Sequence, residues 1–225
     1  TPPSKVPPTP PTQNPSAESV WGGVYWLQNK TYSKQGTYYI DPDNQTLYTY
    51  SSLGGSFGVN ANNGTLIIGN DTESANTKGL IQMGGMGWSG GDVGYITGTF
   101  NAANIYLTNN LKTGNSYSDG GGATLNFNAT NNLTINQASF DNSHAGTQHS
   151  YMNFKGSNIS VSDSSFKDDT NGGFSFSGNN NNSTISFNQT SFNQGTYKFS
   201  NSANSSFDSS NFNQGAYNFN SDQST

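Results

Sequence analysis

The chain contains no cysteine in 225 residues. That excludes a disulfide framework and thiolate metal sites, and it suits a protein that crosses an oxidising compartment unfolded. Charge is also scarce: 9% of the residues are charged against 30% hydrophobic, which fits neither an ordinary globular domain nor a charged disordered chain. The eight Lys and Arg residues are scattered, so no basic stripe stands ready to neutralise a phosphate backbone, and nucleic acid is not an expected partner. Nor is there a basic cluster beside an apolar anchor, as attraction to an anionic membrane requires. No apolar run approaches the roughly 18 residues of a membrane-spanning helix, so this segment is not expected to insert into a bilayer. No signal peptide heads the chain, which reads as a processed product or an excised piece. No stretch sustains a 3.6-residue period, so helix should be nearly absent, and with it most folds that place catalysis at helix termini.

What is present is Asn, Ser, Thr, Gly and Gln, together with 13% aromatic residues, too many rings for a disordered linker and enough to fill a narrow core. The net charge of −5 reads as a source of solubility. Residues 1–16 are proline-rich and are expected to form an extended spacer. In residues 17–60 aromatic and polar residues alternate, as in Thr37-Tyr38-Tyr39-Ile40 and Leu47-Tyr48-Thr49-Tyr50, around the turn Asp41-Pro42-Asp43-Asn44. That pattern predicts a β-hairpin or an N-terminal cap with the first strands, Trp21 and Trp26 plugging its open end. Short strand signals follow at Thr65-Leu66-Ile67-Ile68, Leu80-Ile81-Gln82-Met83, Tyr95-Ile96-Thr97 and Ile105-Tyr106-Leu107, each bounded by Gly or Asn.

The second half carries an internal repeat that emerges on aligning phenylalanines. An apolar-x-Phe dyad recurs at Leu125/Phe127, Met152/Phe154, Phe174/Phe176, Tyr197/Phe199 and Tyr217/Phe219, with Phe-to-Phe steps of 27, 22, 23 and 20 residues. A second anchor follows at Leu133/Ile135, Ile159/Val161, Ile185/Phe187 and Ser205/Phe207, and five residues beyond each lies a third, at Phe140, Phe166, Phe192 and Phe212. Strand side chains alternate faces, so each dyad points inward while the intervening polar residue meets water. Three inward anchors per period of about 20–27 residues predict a right-handed parallel β-helix over residues 61–225, with three strands per turn. The corner Phe-Asn-Gln-Gly recurs at Phe192 and Phe212, with residue types that accept a left-handed bend. Asn side chains of adjacent rungs are expected to form amide ladders, tracts such as Asn179 to Asn182 included. The chain stops within a further copy, after Tyr217-x-Phe219, so a longer natural protein is expected.

Several motifs resemble chemistry. Gly85-Met86-Gly87-Trp88-Ser89-Gly90 satisfies G-x-G-x-x-G, but no βαβ unit follows, and a glycine-rich loop is the better reading. G-x-x-x-G spacings run from Gly87 to Gly98, interrupted by Ser89, Asp92 and Thr97, which excludes a lipid-embedded helix pair. His144 and His149 flank one loop near Asp141, yet share no helical face and lack a completing ligand. Asp163, Asp168 and Asp169 raise the alternative of a carbohydrate-active β-helix that binds or cleaves polysaccharide with paired outer-face carboxylates. No catalytic residue, cofactor or metal site is assigned.

The segment Gly36 to about Phe140, with Gly64-Thr65-Leu66-Ile67-Ile68-Gly69, Phe100 to Leu107 and Thr124-Leu125-Asn126-Phe127-Asn128-Ala129, resembles the early passenger region of toxin-like outer-membrane autotransporters related to vacuolating cytotoxin. The Phe-x-x-Gly-x-Tyr-x-Phe repeat at Phe192–Phe199 and Phe212–Phe219 is similar to the extended repeats of large members of that family. The resemblance implies a passenger on the bacterial outer-membrane surface or secreted. It also implies a separate C-terminal β-barrel translocator and contact with a host cell-surface protein or glycan in adhesion, colonisation or immune modulation. The family's cytotoxin carries a long apolar N-terminal segment for pore formation, whereas this N terminus is proline-rich and polar, so a pore-forming role is the weakest of the three readings.

Overall fold

The computed structural model describes residues 13–14, 26–27, 30–32, 35–40, 46–51, 55–61, 63–69, 80–85, 95–113, 122–143, 149–168, 172–200, 202 and 204–220. Every regular element among them is a β-strand, and from Lys30 onward every pairing is parallel. The chain coils, each turn stacking on the one before, into a parallel β-helix with three strands per turn.

The rungs follow directly from the register. On the first side lie Lys30–Thr31, Gly55–Asn60, the first half of Ile96–Leu107, the first half of Ala123–Asn136, Tyr151–Gly156, Gly173–Gly178, Thr196–Ser200 and Ala216–Asn220. The second side holds Thr37–Ile40, Thr65–Ile68, the second halves of the two long strands, Asn158–Ser162, Thr184–Asn188 and Asn204–Asp208. The third side is a separate sheet of seven strands: Thr46–Ser51, Leu80–Gly85, Asn110–Thr113, Ser139–Asp141, Ser165–Lys167, Ser191–Asn193 and Asn211–Asn213. In the third and fourth rungs the first and second sides are one unbroken strand, so both belong to a single sheet.

The alternation of dyads sets the core. Burial alternates along Ala123–Asn136 and Tyr151–Gly156, and one hydrophobic cluster runs from Tyr32 to Phe199 with Phe207 and Tyr217 packed against it. On the first side Phe100, Phe127, Phe154, Phe176, Phe199 and Phe219 stack face to face, with successive centroids 5.0, 5.3, 5.0, 5.5 and 4.9 Å apart. Phe140, Phe166, Phe192 and Phe212 form a like column at 4.9, 5.6 and 5.1 Å. Its rings meet the first column edge-on, as between Phe166 and Phe176 at 88°. Ile135, Val161, Phe187 and Phe207 are in register on the second side, where Phe187 and Phe207 stack at 4.9 Å. Offset stacking along a column and edge contact across it both suit the ring quadrupole.

Four expectations need correction. Thr37–Ile40 and Thr46–Ser51 do not pair with each other as a hairpin; each pairs in parallel with a strand of the next rung, so the coil begins inside residues 17–60. Gln13–Asn14, within the stretch read as a spacer, pairs antiparallel with Trp26–Leu27. Ser205, read as an inward anchor, is exposed: it stands in register with Ile185 on the last described strand of the second side, where no described residue covers it. Phe212 and Phe219, read as core, are 42% and 54% exposed: they lie on the last described rungs, where no described residue covers their outer faces. The turn at Asp41 to Asn44, Trp21, the side chain of Trp26 and the proline tract apart from Gln13 and Asn14 lie outside the described residues.

Outer faces carry side-chain ladders. Asn101 donates to Asn60 at 2.6 Å and Asn128 to Asn101 at 3.0 Å. Asn153 donates to Asn126 at 2.9 Å and accepts from Ser175 at 2.6 Å. Asn179 joins the adjacent rung by donating to Ser157 Oγ at 3.1 Å, and its amide also donates to the carbonyls of Ala129 and Thr130, two rungs back.

Candidate functional site

Three corners join the sides, and they differ in what they tolerate. From the second to the third side the chain turns through a residue with left-handed φ at one recurrent position: Gln137, Asp163, Gln189 and Ser209, at 47 to 49°. Behind each sits a small residue, Ala138, Ser164, Thr190 or Ser210, whose hydroxyl, where present, donates to the carbonyl two residues back. The backbone N–H of Ala138 donates to Ser164 Oγ and that of Thr190 to Ser210 Oγ. These bonds satisfy backbone groups that a bend would strand away from water. Asp163 is therefore a corner residue, exposed and equivalent to Gln137 and Gln189.

The third-to-first corner takes the insertions. Between a third-side strand and the next first-side strand the sequence carries residues 86–94, 114–121, 144–148 and 169–171, which lie outside the described residues, whereas after Asn193 and Asn213 the same corner closes through Gln194-Gly195 and Gln214-Gly215. One further insertion, residues 70–79, lies at the second-to-third corner of the second rung. In the closed corners Gln194 and Gly195 have φ of 50 and 93°, and a Cβ on Gly195 would lie 2.5 Å from that of Asp168 in the rung before. The hydroxyl of Tyr197 lies 3.1 and 3.2 Å from the carbonyls of Phe166 and Asn193, and Tyr217 repeats the arrangement on Phe192 and Asn213. Burial pushes the Tyr197 phenol far above its ordinary range, with Tyr217 and Asp168 adding to the shift.

At the end of the third side runs a buried polar column. Thr113 donates to Asn142 Oδ1 at 2.6 Å, Asn142 Nδ2 donates to the carbonyl of Gly173 at 3.0 Å, and the backbone N–H of Asp168 donates to Asn193 O at 3.2 Å. Asp168 is 1% exposed. Asp163 and Asp168 thus sit at opposite ends of Ser165–Lys167, one in water and one buried. His144, Asp169, the glycine-rich stretch beyond Gly85 and the G-x-x-x-G spacings short of Gly98 lie outside the described residues. No cluster of three metal-ligating side chains occurs among the described residues.

Beside the loop edge the outer face of the first side is hollowed into a groove of about 560 Å³ lined by His149, Tyr151, Asn153, Ser175, Thr196 and Lys198, with the Gly172-Gly173 backbone as part of its wall. Tyr151 is 41% exposed. In the ladder its neighbour is Gly173 and the next position is Thr196, while Asn153, Ser175 and Lys198 form the adjacent column. A Cβ on Gly173 would lie 2.8 Å from the Thr196 carbonyl, so the close approach of the rungs keeps this position bare. One wall is tied to the rungs below: Tyr95 Oη lies 2.6 Å from Thr124 Oγ1 and donates to the carbonyl of His149 at 3.1 Å. Burial raises the Tyr95 pKa. Of the groove's polar lining residues, His149 alone was singled out from the sequence, there as a candidate ligand beside His144.

Residues 91–150 match the family model described as "Putative vacuolating cytotoxin". No curated protein matches the chain, and no solved structure does. The matched stretch carries the third and fourth rungs and the two loops between Thr113 and Ser150, and over it the chain is vacuolating-cytotoxin-like. The parallel β-helix is the fold that the internal repeat predicted, and the match is to a toxin-like kind of protein, secreted or exposed at the surface.

Proposed function

We propose that this chain is a non-catalytic segment of an autotransporter passenger whose loop-bearing edge meets a host cell-surface protein or glycan, in adhesion, colonisation or immune modulation. In this reading the full-length protein supplies a C-terminal β-barrel translocator, and this segment stays outside the membrane, at the outer-membrane surface or released. The observation that carries it is that the insertions at residues 86–94, 114–121, 144–148 and 169–171 all fall at one recurrent place, between a third-side strand and the next first-side strand. Binding residues concentrate on loops that a rigid scaffold positions.

The corners at Gln194-Gly195 and Gln214-Gly215 show how the same coil closes without a loop, and they supply the test. Replacing residues 114–121, 144–148 and 169–171 by short Gly-containing corners should leave the denaturation midpoint close to that of the parent and abolish binding to host epithelial cells. Undiminished cell binding by the trimmed chain would refute the proposal. The polysaccharide-cleaving alternative needs two carboxylates flanking one bond, and Asp163 and Asp168 at opposite corners do not supply that pair.

A further inference from the structure

The groove of His149, Tyr151, Asn153, Ser175, Thr196 and Lys198 joins a cation to an exposed aromatic ring. The third-side sheet presents Lys112, Asp141 and Lys167 in register, both signs alternating. The groove lining carries Lys198 and His149 and no carboxylate. Apart from Phe212 and Phe219 on the last rungs, Tyr151 is the large aromatic side chain that stands exposed among the described residues. A ring held at 41% exposure, with its ladder neighbour reduced to glycine, leaves a flat apolar surface beside a bare strip of backbone.

The dimensions follow from the register. Tyr151 and Thr196 are two rungs apart, about 10 Å at the usual strand spacing, and Lys198 lies two residues farther along the same strand. Between them Ser175 and Thr196 present hydroxyls, and Asn153 is fixed by its bonds to Asn126 and Ser175. An apolar face, several hydroxyl and amide groups and one long-stemmed cation rooted about 12 Å away on the diagonal describe the complement of a pyranose ring bearing an anionic substituent. The ring lies on Tyr151, its hydroxyls meet Ser175 and Thr196, and its anion meets the Lys198 ammonium, a charge-assisted bond that fixes orientation.

We infer that this groove is a subsite for an acidic sugar, a carboxylated or sulfated glycan unit. The inference deepens the proposed host contact and rests on it for biological meaning, but its test is independent of cells. The 225-residue chain is titrated against immobilised carboxylated, sulfated and neutral oligosaccharides of matched length. Binding to one or both anionic sets over the neutral set is expected. Lys198→Ala and Tyr151→Ala should each weaken it about tenfold or more, the size of a lost charge-assisted bond, while Tyr151→Phe stays within about threefold because the ring face remains. Both positions are exposed, so an unchanged denaturation midpoint certifies the fold of each variant. Preference for neutral sugars, or anionic binding that survives both alanine variants, would overturn the subsite. Cell binding that persists in those variants while no glycan is bound would also overturn it and would leave the loop-edge proposal standing. Loss of cell binding only on loop trimming, with glycan binding intact, would separate the two in the opposite sense.

Discussion

The fourth and fifth rungs and the two that follow them solve one geometric problem in two ways. Up to Lys167 the third-to-first corner carries an insertion in the sequence, and the residue that re-enters the core on the first side is Leu125, Met152 or Phe174. After Asn193 and Asn213 the corner is a two-residue bend, and the re-entering residue is Tyr197 or Tyr217, whose hydroxyl closes the turn against two carbonyls. Elsewhere, backbone groups at the corner find partners in Asn142 and Ser150: the Ala123 N–H donates to Ser150 Oγ at 3.1 Å, and Asn142, held by Thr113, donates to the carbonyl of Gly173. Where the loop is gone, a phenol reaching out of the core does that work. The tyrosine of the Phe-x-x-Gly-x-Tyr-x-Phe repeat is thus the price of a corner without a loop.

This comparison breaks first at the columns both regions share. Phe166→Ala empties a fully buried position between Phe140 and Phe192 and should cost about 3–5 kcal/mol in urea denaturation, whereas Phe219→Ala, 54% exposed, should cost less than a third of that. Next in size is the compact corner. Gly195→Ala must hold a side chain at φ 93° with its Cβ 2.5 Å from that of Asp168, and a loss of about 2 kcal/mol is expected, read as a lower urea midpoint.

The smallest effect is the most specific. Tyr197→Phe keeps the stacked ring and removes the hydroxyl from the carbonyls of Phe166 and Asn193, at about 1 kcal/mol near neutral pH. Because burial raises the Tyr197 pKa, the folded state keeps a proton that the unfolded chain releases above about pH 10. The stabilisation is present in full below that pH and is lost as pH rises beyond it. The parent chain should therefore lose stability more steeply above pH 10 than Tyr197→Phe. Parallel pH profiles for the two would remove the phenol from its role at the corner.

Much of the architecture was legible because alternation is a local signal: Phe154, Phe176 and Phe199 read as inward from their own dyads and stack in the coil. The hairpin expectation at Thr37 to Tyr50 failed because two short strands around a proline turn look alike whether they pair with each other or with the next rung. Register with Thr65–Ile68 and Leu80–Gly85 decides the matter, and that information lies some 30 residues away. The left-handed corner residues were missed because Gln137, Asp163, Gln189 and Ser209 are not turn glycines; their regular place two residues past the second anchor was the available clue. The groove was invisible because Tyr151, Ser175 and Lys198 meet only through stacking. Tyr151 did carry a signal, an aromatic at the outward parity just before the Met152 dyad.

The last two corners, Phe192-Asn193-Gln194-Gly195-x-Tyr197-x-Phe199 and Phe212-Asn213-Gln214-Gly215-x-Tyr217-x-Phe219, are superimposable in sequence pattern and in register. An unequal crossover between two such stretches of gene would delete or add one whole coil, and the new junction would be identical to those on either side. The height of this part of the molecule can therefore change in increments of about 4.8 Å by a single genetic event, without a compensating mutation in the core columns.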